Sequence, residues 1–168
     1  MAENTNISTN EIEARLQKVE NIKQRDGSVW KDKFDRSHKI NEARELADDT
    51  PVVLCGRVTA LRWLGKLMFG RIYDIEGEIQ FSMSREELGE ETYKFMKANV
   101  DMGDFIGITG TLYHTTAGEL TVRVSKYEIL AKALRPLPEK YHGLTDTETR
   151  YRQRYLDLIV NESTRDTL

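Results

Sequence analysis

The sequence predicts a mainly β fold with flanking helices, built on a five-stranded OB-fold Greek-key barrel with a helix between strands 3 and 4. Three observations carry that expectation. From Pro51 to Leu130 the pattern changes from helical spacing to β-rich runs separated by turn residues. Those runs fall in the order three strands, one helix, two strands. Together they occupy about eighty residues, a suitable length for such a barrel. An SH3-like barrel would not need the helix, and a ferredoxin-like fold would need another helix between the first two strands.

Residues 1–50 read as a helical appendage. Ser8-x-x-Glu11 is a capping-box pattern, in which each side chain can satisfy the other residue's free backbone N–H. Behind it Ile12, Leu16, Val19 and Ile22 recur at helical spacing and form one narrow apolar stripe, ended by Asp26-Gly27. A second short helix is expected over roughly Ile40 to Ala47, before an acidic turn that leads to Pro51. So narrow a stripe packs on a neighbouring domain and does not build its own core.

The barrel is assigned to residues 51–133. Its first strand, Val52 to Leu61, has Gly56 in its middle, where a strand can bend sharply. A Leu64-Gly65-Lys66 turn precedes the second strand, Leu67 to Tyr73. After a turn over Asp74–Gly77 comes the third, Glu78 to Met83, in which Ile79, Phe81 and Met83 alternate against Gln80 and Ser82. Ser84-x-x-Glu87 opens a helix to about Asn99, with Leu88, Tyr93, Phe95 and Met96 as its apolar contacts. Strands from Asp104 to His114 and from Leu120 to Leu130 flank the Ala117-Gly118-Glu119 turn.

Residues 134–168 read as a connector and the first helix of a further domain. Pro136 and Pro138 favour an extended chain. Thr145-x-x-Glu148 is another capping box, and the helix over Thr147–Val160 offers Tyr151, Tyr155, Leu158 and Ile159 with no obvious partner in this chain.

Composition narrows the function classes. With 39% apolar and 32% charged residues the chain is too hydrophobic for disorder and too charged for a membrane protein. No stretch approaches the roughly 20 apolar residues of a membrane span, and the N-terminus lacks the features of a secretory signal. A cytoplasmic protein is expected. The lone Cys55 excludes an internal disulfide, and with His38, His114 and His142 far apart no metal site is expected. There is no glycine-rich phosphate loop and no Ser-His-Asp or Cys-His pattern, so no catalytic residues are assigned. The chain reads as a binding module.

Net charge is only −3, but its distribution is uneven. Pro51 to Tyr73 carries Arg57, Arg62, Lys66 and Arg71 and no acid. Such a run is either one basic face that attracts a phosphate backbone or a set of solvated strand ends. An OB barrel that binds single strands also needs a ring for base stacking and polar groups for base edges. Phe69 in strand two, Gln80 in strand three and Glu119 at the start of strand five can supply them. Each has a plainer alternative: a core ring, a solvent-facing amide, a hairpin decoration. The acids Glu86, Glu87, Glu90 and Glu91 read as a solvated helix face.

The run Leu134-Arg-Pro-Leu-Pro-Glu-Lys-Tyr-His-Gly-Leu144, followed by Arg150-Tyr-Arg-Gln-Arg-Tyr-Leu-Asp-Leu158, closely resembles the segment joining the two domains of bacterial lysyl-tRNA synthetases. Cys55-Gly-Arg-Val58, Leu64-Gly-Lys66, Asp101-Met-Gly-Asp104 and Gly118-Glu-Leu120 are similar to that family as well. The resemblance implies the N-terminal anticodon-binding domain of a class II lysine–tRNA ligase. It implies that Phe69, Gln80 and Glu119 read the middle anticodon base, a uridine. Arg57, Arg62 and Lys66 would meet the stem-loop of a lysine tRNA. Arg71 is less typical and could offset His114 and Thr116, which stand where some relatives carry lysines. The whole enzyme would use ATP and Mg²⁺ and act as a homodimer, while these 168 residues would hold no cofactor and have no ligase activity. Two rival readings are a generic single-strand-binding OB module and a protein-interaction or assembly module.

Overall fold

The structure is a computed structural model that describes residues 9–137, 147–152, 154–161 and 163–164. The chain divides into two compact units, Met1–Leu134 and Arg135–Leu168. In the first, five strands close a barrel: β1 (Pro51–Leu64), β2 (Leu67–Tyr73), β3 (Glu78–Ser84), β4 (Phe105–His114) and β5 (Leu120–Ala131), in the spatial order β1-β2-β3-β5-β4. The expected fold class is the one observed.

Closure depends on β1 serving two neighbours. Its first half, Pro51 to Arg57, pairs with β4, and its second half, from Arg57, pairs with β2. The strand turns that corner at Gly56, where a Cβ would sit 2.6 Å from the Tyr73 carbonyl oxygen. A parallel pairing of Gln80 with Thr121 and of Ser82 with Arg123 joins β3 to β5.

Strand alternation fills the barrel. Leu54 and Val58 from β1, Met68 and Ile72 from β2, Ile79 and Phe81 from β3, Ile108 from β4 and Val122 and Ile129 from β5 are fully buried. Gly70 leaves room for Phe81, whose ring would lie 2.4 Å from a Cβ there. Because Met68 and Gly70 turn inward, Phe69 and Arg71 turn outward. Phe105, at the start of β4, is 37% exposed although it is a large apolar side chain. The preceding Asp104, expected as the strand's first residue, is buried under the barrel end.

The helices differ from expectation in detail. In place of one helix from Ser84 there are two, α3 (Arg85–Leu88) and α4 (Glu90–Asn99), because Gly89 has φ +84° and interrupts the ladder. Ser84 Oγ accepts the Glu87 N–H at 3.2 Å, as a cap should. Tyr93 and Met96 are buried, while the four acids stay exposed. The N-terminal helix, α1, runs over Thr9–Asp26 and buries Val19 and Ile22, but Leu16 is 45% exposed and drops out of the stripe. Its expected cap, Ser8, lies outside the described residues. The second helix, α2, is a single turn, Ile40–Ala43, and does not reach Ala47. Its hydrogen bonds tighten at once to Glu45 N–H to Glu42 O and Leu46 N–H to Ala43 O, both 3.2 Å. Phe34 then packs where a Gly107 Cβ would go, holding the N-terminal segment on the barrel.

At one end of the barrel a buried ion cluster fastens this appendage. Lys132 has no exposed side-chain surface and pairs with Asp101 at 2.5 Å and Asp104 at 2.6 Å. Lys18, from the first helix, reaches Asp101 at 2.7 Å, and Arg15 donates to the Ala133 carbonyl at 2.8 Å. Burial pushes the Asp104 carboxyl above the usual range, against the pull of Lys132. Burial acts the same way on Asp101, but its bonds from Lys132 and Lys18 prevail and hold it below.

The second unit is helical over Thr147–Arg152 and Arg154–Val160. Asp157 is buried there and accepts from Arg150 Nε at 3.0 Å. Tyr151 and Tyr155 are 72% and 52% exposed. Pro138, His142 and the Thr145 cap lie outside the described residues. Among the described residues no helix is long and apolar enough to cross a membrane.

Candidate nucleic-acid interface

An open groove of about 570 Å³ crosses the outer face of β1, β2 and β3 beside the β4–β5 hairpin. Its floor follows from the register. One row across the strands is Ala60–Arg71–Gln80–Thr121, and the next is Arg62–Phe69–Ser82. Residues two apart on a strand share a face, so the rows lie side by side. Arg62, Phe69, Arg71 and Gln80 therefore meet in the groove, and Glu119 joins them from the hairpin.

Phe69 is half-buried and lines the groove wall, outside the core. Gln80 is oriented by a relay. Thr121, fully buried, donates its single hydroxyl proton to the Glu119 carbonyl at 3.1 Å and must accept from Gln80 Nε2 at 2.9 Å. That leaves the Gln80 carbonyl oxygen and one amide hydrogen for a ligand. Glu119 is seated by its own N–H donating to Thr115 Oγ1 at 3.2 Å, on a turn closed by Gly118 at φ +84°. Its carboxylate meets Arg71 Nη2 at 2.8 Å, and Arg71 also lies 3.6 Å from Glu78. Arg71, read from the sequence as one more cation of the basic face, is therefore shared between two carboxylates.

The other two cations lie outside the groove lining. Lys66 is exposed on the β1–β2 turn, which α3 and α4 brace: Arg85 N–H donates to the Lys66 carbonyl at 3.0 Å and Tyr93 Oη to the Gly65 carbonyl at 3.1 Å. Arg57 lies at the corner of β1, with its guanidinium 4.4 Å over the Phe105 ring and Nη1 donating to the Gly103 carbonyl at 3.1 Å. Burial pulls that guanidinium below its ordinary pKa, and Asp104 opposes the shift. The guanidinium lying over it also explains why the Phe105 ring stays at the surface. His114, at the hairpin, is bonded to Asp48 at 2.6 Å, and Thr116 lines the groove. Cys55 is half-buried, and burial raises its thiol pKa. Among the described residues no group of three or more His, Cys, Asp or Glu could hold a metal ion.

Sequence reasoning missed Thr121, the hinge of the relay. Alternation marks it as opposite to Val122, but its pairing with Gln80 comes from a parallel contact between strands forty residues apart, which no local signal announces. The Tyr113–Ser82 hydroxyl pair at 2.9 Å, with Arg123 4.4 Å over the Tyr113 ring, was missed for the same reason.

An OB barrel whose open face gathers a ring, an amide, a carboxylate and cations has the make-up of a nucleic-acid-binding domain. Residues 52–130 match the family model described as an OB-fold nucleic acid binding domain of the tRNA anticodon type. The chain is 46% identical to the lysine–tRNA ligase of Carboxydothermus hydrogenoformans over 93% of its own length and 32% of that protein. It is 43% identical to the Aquifex aeolicus lysine–tRNA ligase (92% of this chain, 25% of that one) and 42% identical to that of Methanoculleus marisnigri (92% and 32%). Over more than nine-tenths of its length the chain is thus similar to lysine–tRNA ligases; it spans a quarter to a third of the length of these curated relatives, the part that holds their anticodon-binding domain.

Proposed function

We propose that this chain recognises the anticodon loop of a lysine tRNA, with Phe69, Gln80 and Glu119 reading a uridine at the middle position. The observation that carries the reading is their convergence, from β2, β3 and the β4–β5 hairpin, on one open groove. A base swung out of the loop stacks on Phe69, worth about 1–3 kcal/mol. Uridine offers an N3–H donor between two carbonyl acceptors. Glu119 accepts from N3–H, and the remaining Gln80 amide hydrogen serves a carbonyl. Cytidine presents an acceptor at N3 and meets the carboxylate lone pairs unpaired, at a cost of about 1–3 kcal/mol. Arg62 at the groove and Lys66 on the neighbouring turn face the phosphates of the loop.

In the whole ligase, a homodimer of the cytoplasm, a separate catalytic domain would use ATP and Mg²⁺ to activate lysine, and this chain's part is tRNA identity. The test compares the lysine anticodon stem-loop with a scrambled loop at one salt concentration. Preference for the lysine loop, reduced in Phe69→Ala, Gln80→Ala and Glu119→Ala, supports the reading. Equal binding of both loops, or three variants with unchanged affinity and intact fold, would overturn it and favour generic single-strand binding.

A further inference from the structure

Arg71 stands out in the groove because its position does not suit the phosphate-binding role expected of it. It lies on β2 and Glu119 just before β5, and these strands are not neighbours: β3 runs between them. The register partner of Arg71 on β3 is Gln80, whose partner on β5 is Thr121, two residues beyond Glu119. The 2.8 Å ion pair therefore bridges β3 beside Gln80. On its other side Arg71 is 3.6 Å from Glu78, which accepts a hydrogen bond from Thr59 Oγ1 at 2.8 Å. With side chains 33% and 40% exposed, Arg71 and Glu119 remain open to a ligand.

We propose that Arg71 is a positioning residue for base recognition: it fixes the Glu119 carboxylate beside Gln80 and offsets its charge, so that a uridine edge can approach. The inference rests on the uridine reading above. A bare carboxylate near RNA repels phosphates over about a Debye length, roughly 8 Å at physiological salt. Paired with a guanidinium it brings little net charge, yet it keeps lone pairs for N3–H, because a carboxylate has about four acceptor sites and one arginine contact does not exhaust them. The backbone of Glu119 is held by Thr115 and Thr121, and Arg71 supplies the missing constraint on its side chain.

A phosphate-binding arginine and a positioning arginine behave differently under mutation. Stem-loops with uridine or cytidine at the middle anticodon position are titrated over a range of salt with the unmodified chain, Arg71→Ala and Arg71→Lys. For Arg71→Ala the expected result is a fall in the uridine-over-cytidine ratio of about tenfold at each salt concentration, beyond the weakening that the uncovered Glu119 charge brings to both loops. Arg71→Lys retains part of the ratio, since an ammonium keeps the charge but loses the planar fork. Equal weakening of both loops, with a slope shallower by about 0.7, would assign Arg71 to a phosphate and overturn the proposal. An unchanged ratio in Arg71→Ala overturns it too. Glu119→Gln and Gln80→Ala separate the two levels of argument: if neither alters the ratio, the uridine reading itself has failed, and if both do while Arg71→Ala does not, only the role of Arg71 is lost.

Discussion

Two clusters of carboxylates and cations stand in this barrel, one enclosed and one open to solvent. In the enclosed cluster, Lys132 lies without exposed side-chain surface between Asp101 and Asp104 and is joined through Asp101 to Lys18 of the first helix. In the groove, Arg71 lies between Glu119 and Glu78, each about a third or more exposed. The contact distances are similar, but the surroundings are not. A charge enclosed by protein has no water to turn to when its partner is lost, whereas an exposed one is rehydrated at little cost. The first cluster therefore holds architecture together. The second is cheap to open, which suits a surface that must exchange an internal partner for a ligand.

The contrast is broken most directly at Lys132. Lys132→Ala leaves Asp104 buried without its cation and should cost about 3–5 kcal/mol in urea unfolding, far more than Arg71→Ala. A double change, Asp104→Asn with Lys132→Met, should recover much of that loss, because no charge is then stranded. Asp101 sharpens the comparison through pH. Its folded carboxyl lies below the unfolded value, so its contribution is present above the unfolded pKa and is lost as pH falls through the folded one. Asp101→Asn should therefore cost about 1.5–3 kcal/mol at neutral pH, and the gap to the unmodified protein should narrow below about pH 4. On the groove side, Phe69→Ala should lower stem-loop affinity by about 1–3 kcal/mol in a binding titration. The smallest effect is expected at Arg57. Arg57→Ala removes a stack on Phe105 and a hydrogen bond to the Gly103 carbonyl and should cost about 1 kcal/mol in thermal unfolding, with base discrimination unchanged.

The order of strands, the inward and outward parity of Phe81 and Gln80, and the Ser84 cap were all legible because each depends on neighbours within a few residues. Gly89 was the exception among local signals: a helical pattern ran across it, and the positive φ that splits the helix is permitted by glycine without being demanded by it. Leu16 shows a different failure. Its spacing fits the stripe, but only the curvature of the partner surface decides which stripe residues are covered. The four cations between Pro51 and Tyr73 looked alike in sequence and take three different environments: the groove for Arg62 and Arg71, an open turn for Lys66, and an aromatic platform for Arg57.

Sequence by itself determined the barrel class, the parity that sets Gln80 opposite Ile79 and Phe81, and the family resemblance, since hydrophobic period and turn chemistry are local and directional; it left Phe69 open between core and groove. Only the tertiary structure decided which side chains are spent on one another: the Thr121 relay that orients Gln80, the Arg71–Glu119 bridge over β3, and the enclosure of Lys132. Those choices depend on the register between strands distant in the chain and on how much water remains around each charge, and both are set only when the barrel closes.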